Sequence, residues 1–337
     1  MNMSRVIPLL TPHLNHAVKQ SWARTLQCLT VTIAVISLWF GSSVLSTPAA
    51  QAYPFWAQEL YSSPREATGR IVCANCHLAQ KPVEIEVPQA VLPNTVFAAK
   101  VKIPYDHSIE EVYSDGSTGG LAIGAVIVLP DGFKLAPFED IPEELMEEVG
   151  DFYYYVTPYS EEQDNILLAG PLLGEDFEEL VFPLLSPDPA TDSSIHFGKY
   201  SIHLGGNRGR GQVYPTGDKS NNTTYNASAT GTITDITDNG YGFDVTIVSE
   251  DGTEVVDSIP PGPALLVAVG DTVAKDEIIT TDPNVGGFGQ KDTEIVLQSP
   301  NRIRGLLAFF GAVVIAQIFL VLKKRQIEKV QLAEMSF

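Results

Sequence analysis

Phe97-Ala98-Ala99-Lys100-Val101-Lys102-Ile103 decides the fold class of this chain. Lys100 and Lys102 alternate with Ala99, Val101 and Ile103, and only an extended backbone puts such charged and apolar side chains on opposite faces. Val83-Glu84-Ile85-Glu86-Val87, just upstream, has the same period of two. Residues 121–129 are apolar without interruption and suit a buried strand. Gly and Pro, 27 and 23 in number, recur at short intervals that fit turns between strands better than long helices. Only residues 63–77 and the acidic residues 142–149 read as helical. A second β region follows the polar stretch Lys219-Ser220-Asn221-Asn222-Thr223-Thr224, with strand-like pieces at 231–236, 242–248, 264–269 and 276–280. The glycine-rich Asn284-Val285-Gly286-Gly287-Phe288-Gly289-Gln290 closes that region, and a final strand is expected at 293–298. The reading is mainly β, in two domains, with the smaller inserted late in the larger: residues 53–222 and the return strand 284–301 around residues 223–283.

The two ends are of another kind. Residues 1–52 hold three bases (Arg5, Lys19, Arg24) and no acid, then an apolar stretch from about Cys28 to Leu45, then Ala50-Gln51-Ala52. A basic start, an apolar middle and a small-residue A-x-A end define a secretory signal, with cleavage expected after Ala52 and Tyr53 as the new N-terminus. At the other end, residues 305–322 carry no polar side chain except Gln317, and Lys323, Lys324 and Arg325 follow at once. At about 1.5 Å per residue such a run crosses the hydrocarbon layer of a bilayer. A single membrane helix is therefore expected at 303–322. The trailing bases place the tail, 323–337, in the compartment of synthesis, with the middle block on the far side. That block holds most of the chain's 41 acids against 21 bases, a balance that repels nucleic acid and favours partners with basic surfaces.

Chemistry concentrates at Cys73-Ala74-Asn75-Cys76-His77, the C-x-x-C-H motif of covalent haem attachment. Two thiols three positions apart lie on one side of a helical turn and can each join a haem vinyl group, while the adjacent histidine reaches the iron. A zinc site would want further Cys or His ligands, and the processed chain has no other cysteine. A thioredoxin-like motif would want a βαβ setting, and a plain disulfide would leave His77 unexplained. The second axial ligand stays open at this level: Met146, His107, His196, His203, and the free amine that cleavage would create on Tyr53, whose reference pKa is about 7.7–8.0. The glutamate pairs Glu143/Glu144, Glu147/Glu148 and Glu178/Glu179 read as solvated surface. Residues 205–211 read as a tight polar turn. A membrane-anchored electron carrier, an exported haem enzyme with an open iron position, and a structural β protein with a chance motif are the three functional readings.

Several long strings carry a resemblance. Residues 52–58, residues 69–79, Gly205-Gly206-Asn207-Arg208-Gly209-Arg210-Gly211-Gln212-Val213-Tyr214-Pro215, residues 282–290 and the C-terminal anchor resemble the cytochrome f family, the c-type haem subunit of the cytochrome bf complex of oxygenic photosynthesis. The resemblance implies an elongated large β-sandwich, a small β domain and one membrane helix. It implies one covalently bound haem c on Cys73 and Cys76, with His77 and the amine of Tyr53 as axial ligands of the iron. Pro54, Trp56, Tyr214 and Pro215 would pack the haem pocket, and Asn207, Gln212, Asn222 and Asn284 would line a chain of buried waters. It implies no substrate chemistry of the chain's own: an electron carrier within a plastoquinol–plastocyanin oxidoreductase, beside cytochrome b, subunit IV, the Rieske protein and small subunits. The electron would pass to plastocyanin or a soluble cytochrome c, from the lumenal side of a thylakoid membrane crossed once. One departure is expected. Plant members dock their acceptor on a basic ridge, whereas Glu110 and Glu111 make the matching loop acidic, as in the cyanobacterial type.

Overall fold

The computed structural model describes residues 54–177 and 179–336. The expected signal segment, Cys28, Tyr53, Glu178 and the side chains of Pro54 and Phe55 lie outside the described residues. The chain is mainly β. Its strands are β1 (Glu84–Glu86), β2 (Ala90–Val91), β3 (Val96–Lys102), β4 (Glu111–Val112), β5 (Thr118–Gly119), β6 (Ala122–Val128), β7 (Lys134–Leu135) and β8 (Val156–Ser160). There follow β9 (Gln163–Leu173), β10 (Glu179–Leu185), β11 (Gly198–Arg208), β12 (Gly231–Asp238), β13 (Phe243–Val248), β14 (Glu254–Ile259), β15 (Thr272–Val273) and β16 (Gly287–Leu297). The helices are α1 (Pro54–Leu60), α2 (Glu143–Val149) and α3 (Pro300–Glu334).

A four-stranded sheet, β1-β3-β10-β7, faces a six-stranded sheet, β2-β16-β11-β6-β9-β8. The opening stretch behaves as its alternation requires. Phe97, Ala99 and Val101 of β3 point into the core, against Leu180, Phe182 and Leu184 of β10 and Ile123 and Ile127 of β6. Lys100 and Lys102 of the same strand point outward to Glu148 and Glu179. β6 does not alternate because both of its faces are covered. Ile123, Ala125 and Ile127 face the sandwich core, while Val126 faces a second apolar layer with Ile71, Tyr159, Leu168 and Phe288. That second layer is the floor of the site described below.

The small sheet, β14-β13-β12-β15, has its own core of Ile233, Val245, Ile247, Ile259 and Val273. It lies between β11 and β16 in the chain. Those two strands pair in register from Gly198↔Leu297 to Arg208↔Gly287, so the chain leaves and re-enters the sandwich at one place.

Four expectations are corrected. Residues 63–77 are not a helix: a bridge joins Arg65 to Ile71 around a turn with Gly69 at φ 87°, and only Val72–Asn75 winds into a 3-10 turn. The Gly205–Arg208 segment is not a turn but the end of β11, paired on both sides, and the turn begins at Gly209 with φ 71°. Residues 264–269 and 276–280 make only the isolated bridges Leu265↔Thr280 and Asn226↔Ile278, while β14, where the polar Asp257 shares a face with Val255 and Ile259 and the apolar Val256 is exposed, is a full strand. The last strand begins at Gly287, not 293.

α3 opens with Ser299 as cap, its Oγ accepting from the Arg302 amide at 3.3 Å, and Pro300 at the first helical position, where no amide is needed. It is long and apolar enough to cross a membrane, and it continues beyond the apolar run through the basic residues to Glu334.

Candidate haem site

α1 is one wall of the site. Trp56, Ala57, Leu60 and Tyr61 recur at the spacing that stacks side chains on one helix face, and all four line a single cleft. Tyr159 fixes the helix from below: its hydroxyl lies 2.6 Å from the carbonyl oxygens of both Ala57 and Tyr61. Gln58 ties the helix to β8 by donating to the Tyr159 carbonyl at 2.8 Å.

The haem motif forms the facing wall. The Cys76 and His77 amides both donate to the Cys73 carbonyl, at 3.2 and 3.0 Å, closing one tight turn that presents both thiols and the imidazole together. The neighbours are fitted to that turn. The Ile71 amide donates to Gln290 Oε1 at 3.1 Å, and the Leu78 amide to Gln212 Oε1 at 2.8 Å. The Gln212 amide donates to the Cys76 carbonyl at 2.7 Å. Glycine keeps the approach close at two places. A Cβ on Gly205 would stand 2.9 Å from Ile71 Cδ1, and one on Gly211 would stand 3.2 Å from the Cys76 oxygen.

Between the walls lies a cleft with about 590 Å³ of empty space, its open mouth included. Cys73, Cys76 and His77 line it together with Val72, Ala125, Val126, Leu168, Gly205, Asn207 and Pro215. Its surface is largely apolar, as a slot for a flat apolar group requires. Burial pushes the Cys73 thiol up to about 12 and raises that of Cys76. Both therefore stay protonated, which makes them weak nucleophiles and poor metal ligands. A thioether carries no titrating proton and escapes that cost. Burial lowers His77 to about 4, so its imidazole is neutral and fit to ligate. Its buried Nδ1 has no hydrogen-bond partner among the described residues. Two thiols, a neutral imidazole and an apolar slot fit a covalently held haem. The described residues contain no group of three or more His, Cys, Asp or Glu able to hold a bare metal ion.

The expected pocket residues divide. Trp56 and Pro215 line the cleft, and Tyr214 stands behind, edge-on to Trp56 at 6.5 Å between ring centres. Asn207 lines it too. Gln212, Asn222 and Asn284 gather away from it, around the turn that follows β11. Gln212 Nε2 and Asn222 Nδ2 both donate to the Arg210 carbonyl at 2.9 Å, and Asn222 Nδ2 also reaches Asn284 Oδ1 at 3.4 Å. Asn222 Oδ1 is buried without a partner among the described residues. Met146, His107, His196 and His203 are all absent from the cleft wall. Met146 is in α2 and His203 Nδ1 is 2.8 Å from Asp292. His196, expected in a strand, lies before β11 begins.

The acidic loop needs a correction. Glu110 is exposed, but Glu111 is not a surface charge: it is 1% exposed, and its carboxylate accepts from the Ala122 amide at 3.0 Å and the Arg210 amide at 2.6 Å. Burial raises its pKa against those two bonds. Arg210 Nη1 in turn donates to the Val112 carbonyl and to Asn221 Oδ1, both at 2.7 Å. Asn221 Nδ2 donates to Tyr113 on one side and to Pro261 of the small module on the other. Sequence reasoning missed this buried junction, because an acid next to a second glutamate looks like surface until its partners are known.

Comparison with known proteins agrees with the geometry. The family model for the N-terminal part of apocytochrome f matches residues 53–209, and that for its C-terminal part matches residues 221–337. Cytochrome f of Trichodesmium erythraeum is 64% identical over 309 residues, covering 91% of this chain and 93% of the relative. Cytochrome f of Synechococcus elongatus is 64% identical over 293 residues, 87% of this chain and 90% of the relative, and that of Mastigocladus laminosus 59% over 319 residues, 93% and 95%. With both halves matched, and the motif cysteines and histidine gathered on one cleft, the chain belongs to the cytochrome f family.

Proposed function

We propose that this chain is the membrane-anchored, single-haem carrier that takes one electron at a time from a Rieske iron–sulfur protein and passes it to plastocyanin or a soluble cytochrome c. Family membership makes it an electron-transfer haem subunit of the cytochrome b6f complex and not an enzyme with a substrate of its own. The finer reading rests on one observation: the cleft offers a haem two thiols and one imidazole, and among the described residues no second side-chain ligand of His or Met type lines its wall. The other axial position falls to the amine of Tyr53, exposed by cleavage after Ala52. α1, which follows directly, supplies the opposite wall of the same cleft.

A bound haem supplies an iron that cycles between ferric and ferrous. The chain's own residues do the rest. Cys73 and Cys76 hold the group by covalent bonds, and His77 presents a neutral nitrogen. Trp56, Leu60, Val126 and Leu168 would exclude water, and with the Tyr53 amine as second ligand the iron would have no site open to a substrate. Gln212, Asn222 and Asn284, with Asn207 at the cleft, line a path of buried waters. The large domain (53–222 with 284–301) and the small one (223–283) stand in the thylakoid lumen, and the tail 323–337 returns to the other side.

The amine is tested by sequencing the mature N-terminus and recording the haem spectrum. The sequence is expected to start at Tyr53, and blocking cleavage at Ala52 is expected to change the spectrum. A start several residues away, or an unchanged spectrum, overturns the ligand assignment. Rapid carbon monoxide binding by the reduced protein would instead favour an open-site haem enzyme.

A further inference from the structure

The acidic segment dismissed in the sequence as solvated surface carries something else. Phe138, Tyr154 and Tyr155 are 48%, 71% and 50% exposed. Phe138 packs edge-on against Tyr153 at 5.5 Å and stacks on Tyr154 at 6.3 Å, so these rings form one continuous surface. Tyr155 continues it toward Phe177 at 5.6 Å. The rings are held rigidly. Tyr153 donates to the Ala136 carbonyl at 3.1 Å, and Phe152, between them and the core, sits edge-on to Phe182 at 5.0 Å. None of these residues lines the haem cleft.

Large rings displayed at little further entropic cost mark a recognition surface, because aromatic side chains dominate the centres of interfaces and monomers seldom leave them grouped in water. The rim specifies what fits. Glu139, Asp140, Glu143, Glu144, Glu147, Glu148 and Asp151 lie between Phe138 and the tyrosines in the chain and are all exposed, with no basic residue between 139 and 151. Glu148 is paired with Lys100 at 2.5 Å. A second copy of this chain would bring another net charge of −20 against that rim. An anionic lipid surface would be repelled by it as well.

We infer that the Phe138–Tyr155 face is a docking surface for another protein, one that presents an apolar centre ringed by lysine and arginine. It serves to hold the carrier in its assembly. Burial of the rings supplies the affinity, and the acids supply orientation and rate of encounter.

A carbodiimide, which joins a carboxylate directly to an amine, tests this on the full chain in its native membranes. Glu143, Glu144 and Glu147 are expected to cross-link to lysines of a different polypeptide, identified by the sequence of the joined peptides. The Lys100–Glu148 pair within the chain serves as internal standard. The Tyr154→Ser/Tyr155→Ser variant, which touches only exposed rings, is expected to lower the intermolecular yield roughly tenfold, the scale of a lost interface anchor, and to leave the internal standard and haem content unchanged. High salt should lower it as well. Cross-links only to another copy of this chain, only to lipid amines, or to nothing while the internal standard forms, would each overturn the inference. So would an intermolecular yield unaffected by the ring substitutions.

Discussion

His77 and Glu111 are both buried and their pKa values are displaced in opposite senses. Unfolded, His77 takes up its proton near 6.5, but folded only near about 4. Between those values the unfolded chain holds more protons, so acid destabilises the fold, and the shift is worth about 3 kcal/mol across the window. Glu111 is raised above its ordinary 4.5, so there the folded chain holds more protons and stability falls as pH rises through the raised value. Urea midpoints of the haem-free chain between pH 4 and 7 should therefore rise less steeply for His77→Gln and more steeply for Glu111→Gln than for the parent. Parallel curves for all three would contradict the burial of these groups. His77 was legible in the sequence because two cysteines at fixed spacing frame it. Glu111 was not, because the groups that bury it come from residues 122 and 210.

At the scale of elements, alternation in β3 and the unbroken apolar run of β6 could be read directly, since each reports how many faces of a strand are covered. Gly205 and Gly206 could not. They look like turn residues, yet they lie within β11 because a side chain would strike a neighbour on either face: Ile71 against Gly205, and Val83 and Ile103 against Gly206. The short turn of 72–75 was overestimated as a helix for the opposite reason, as hydrogen bonds to Gln212 and Gln290, far along the chain, fix its shape. Gly205→Val is thus expected to cost about 1–3 kcal/mol by overpacking. The displaced Ile71 stands two residues before Cys73, so covalent haem content should fall along with the thermal midpoint. A variant that loses stability yet loads haem fully would separate the strand from the site.

For the whole molecule, charge and anchorage decide how partners arrive. A chain of net charge −20 attracts basic acceptors over a distance set by ionic strength. Second-order electron transfer to a basic soluble cytochrome is expected to slow steadily as salt rises, and a rate indifferent to salt would exclude steering by charge. The ladder of β11 and β16 has a further consequence. One end of β16, Gly287, pairs with Arg208 beside the haem site, and its other end, Leu297, stands three residues before the first residue of α3. Eleven residues of strand at about 3.3 Å each make a strut of roughly 35 Å between anchor and redox centre. The strut acts as a ruler. If the donor is held at the bilayer surface, it would have to bridge that length. Adding two residues to each strand would lengthen the strut by about 7 Å and, on the proposed function, slow electron uptake from the membrane side.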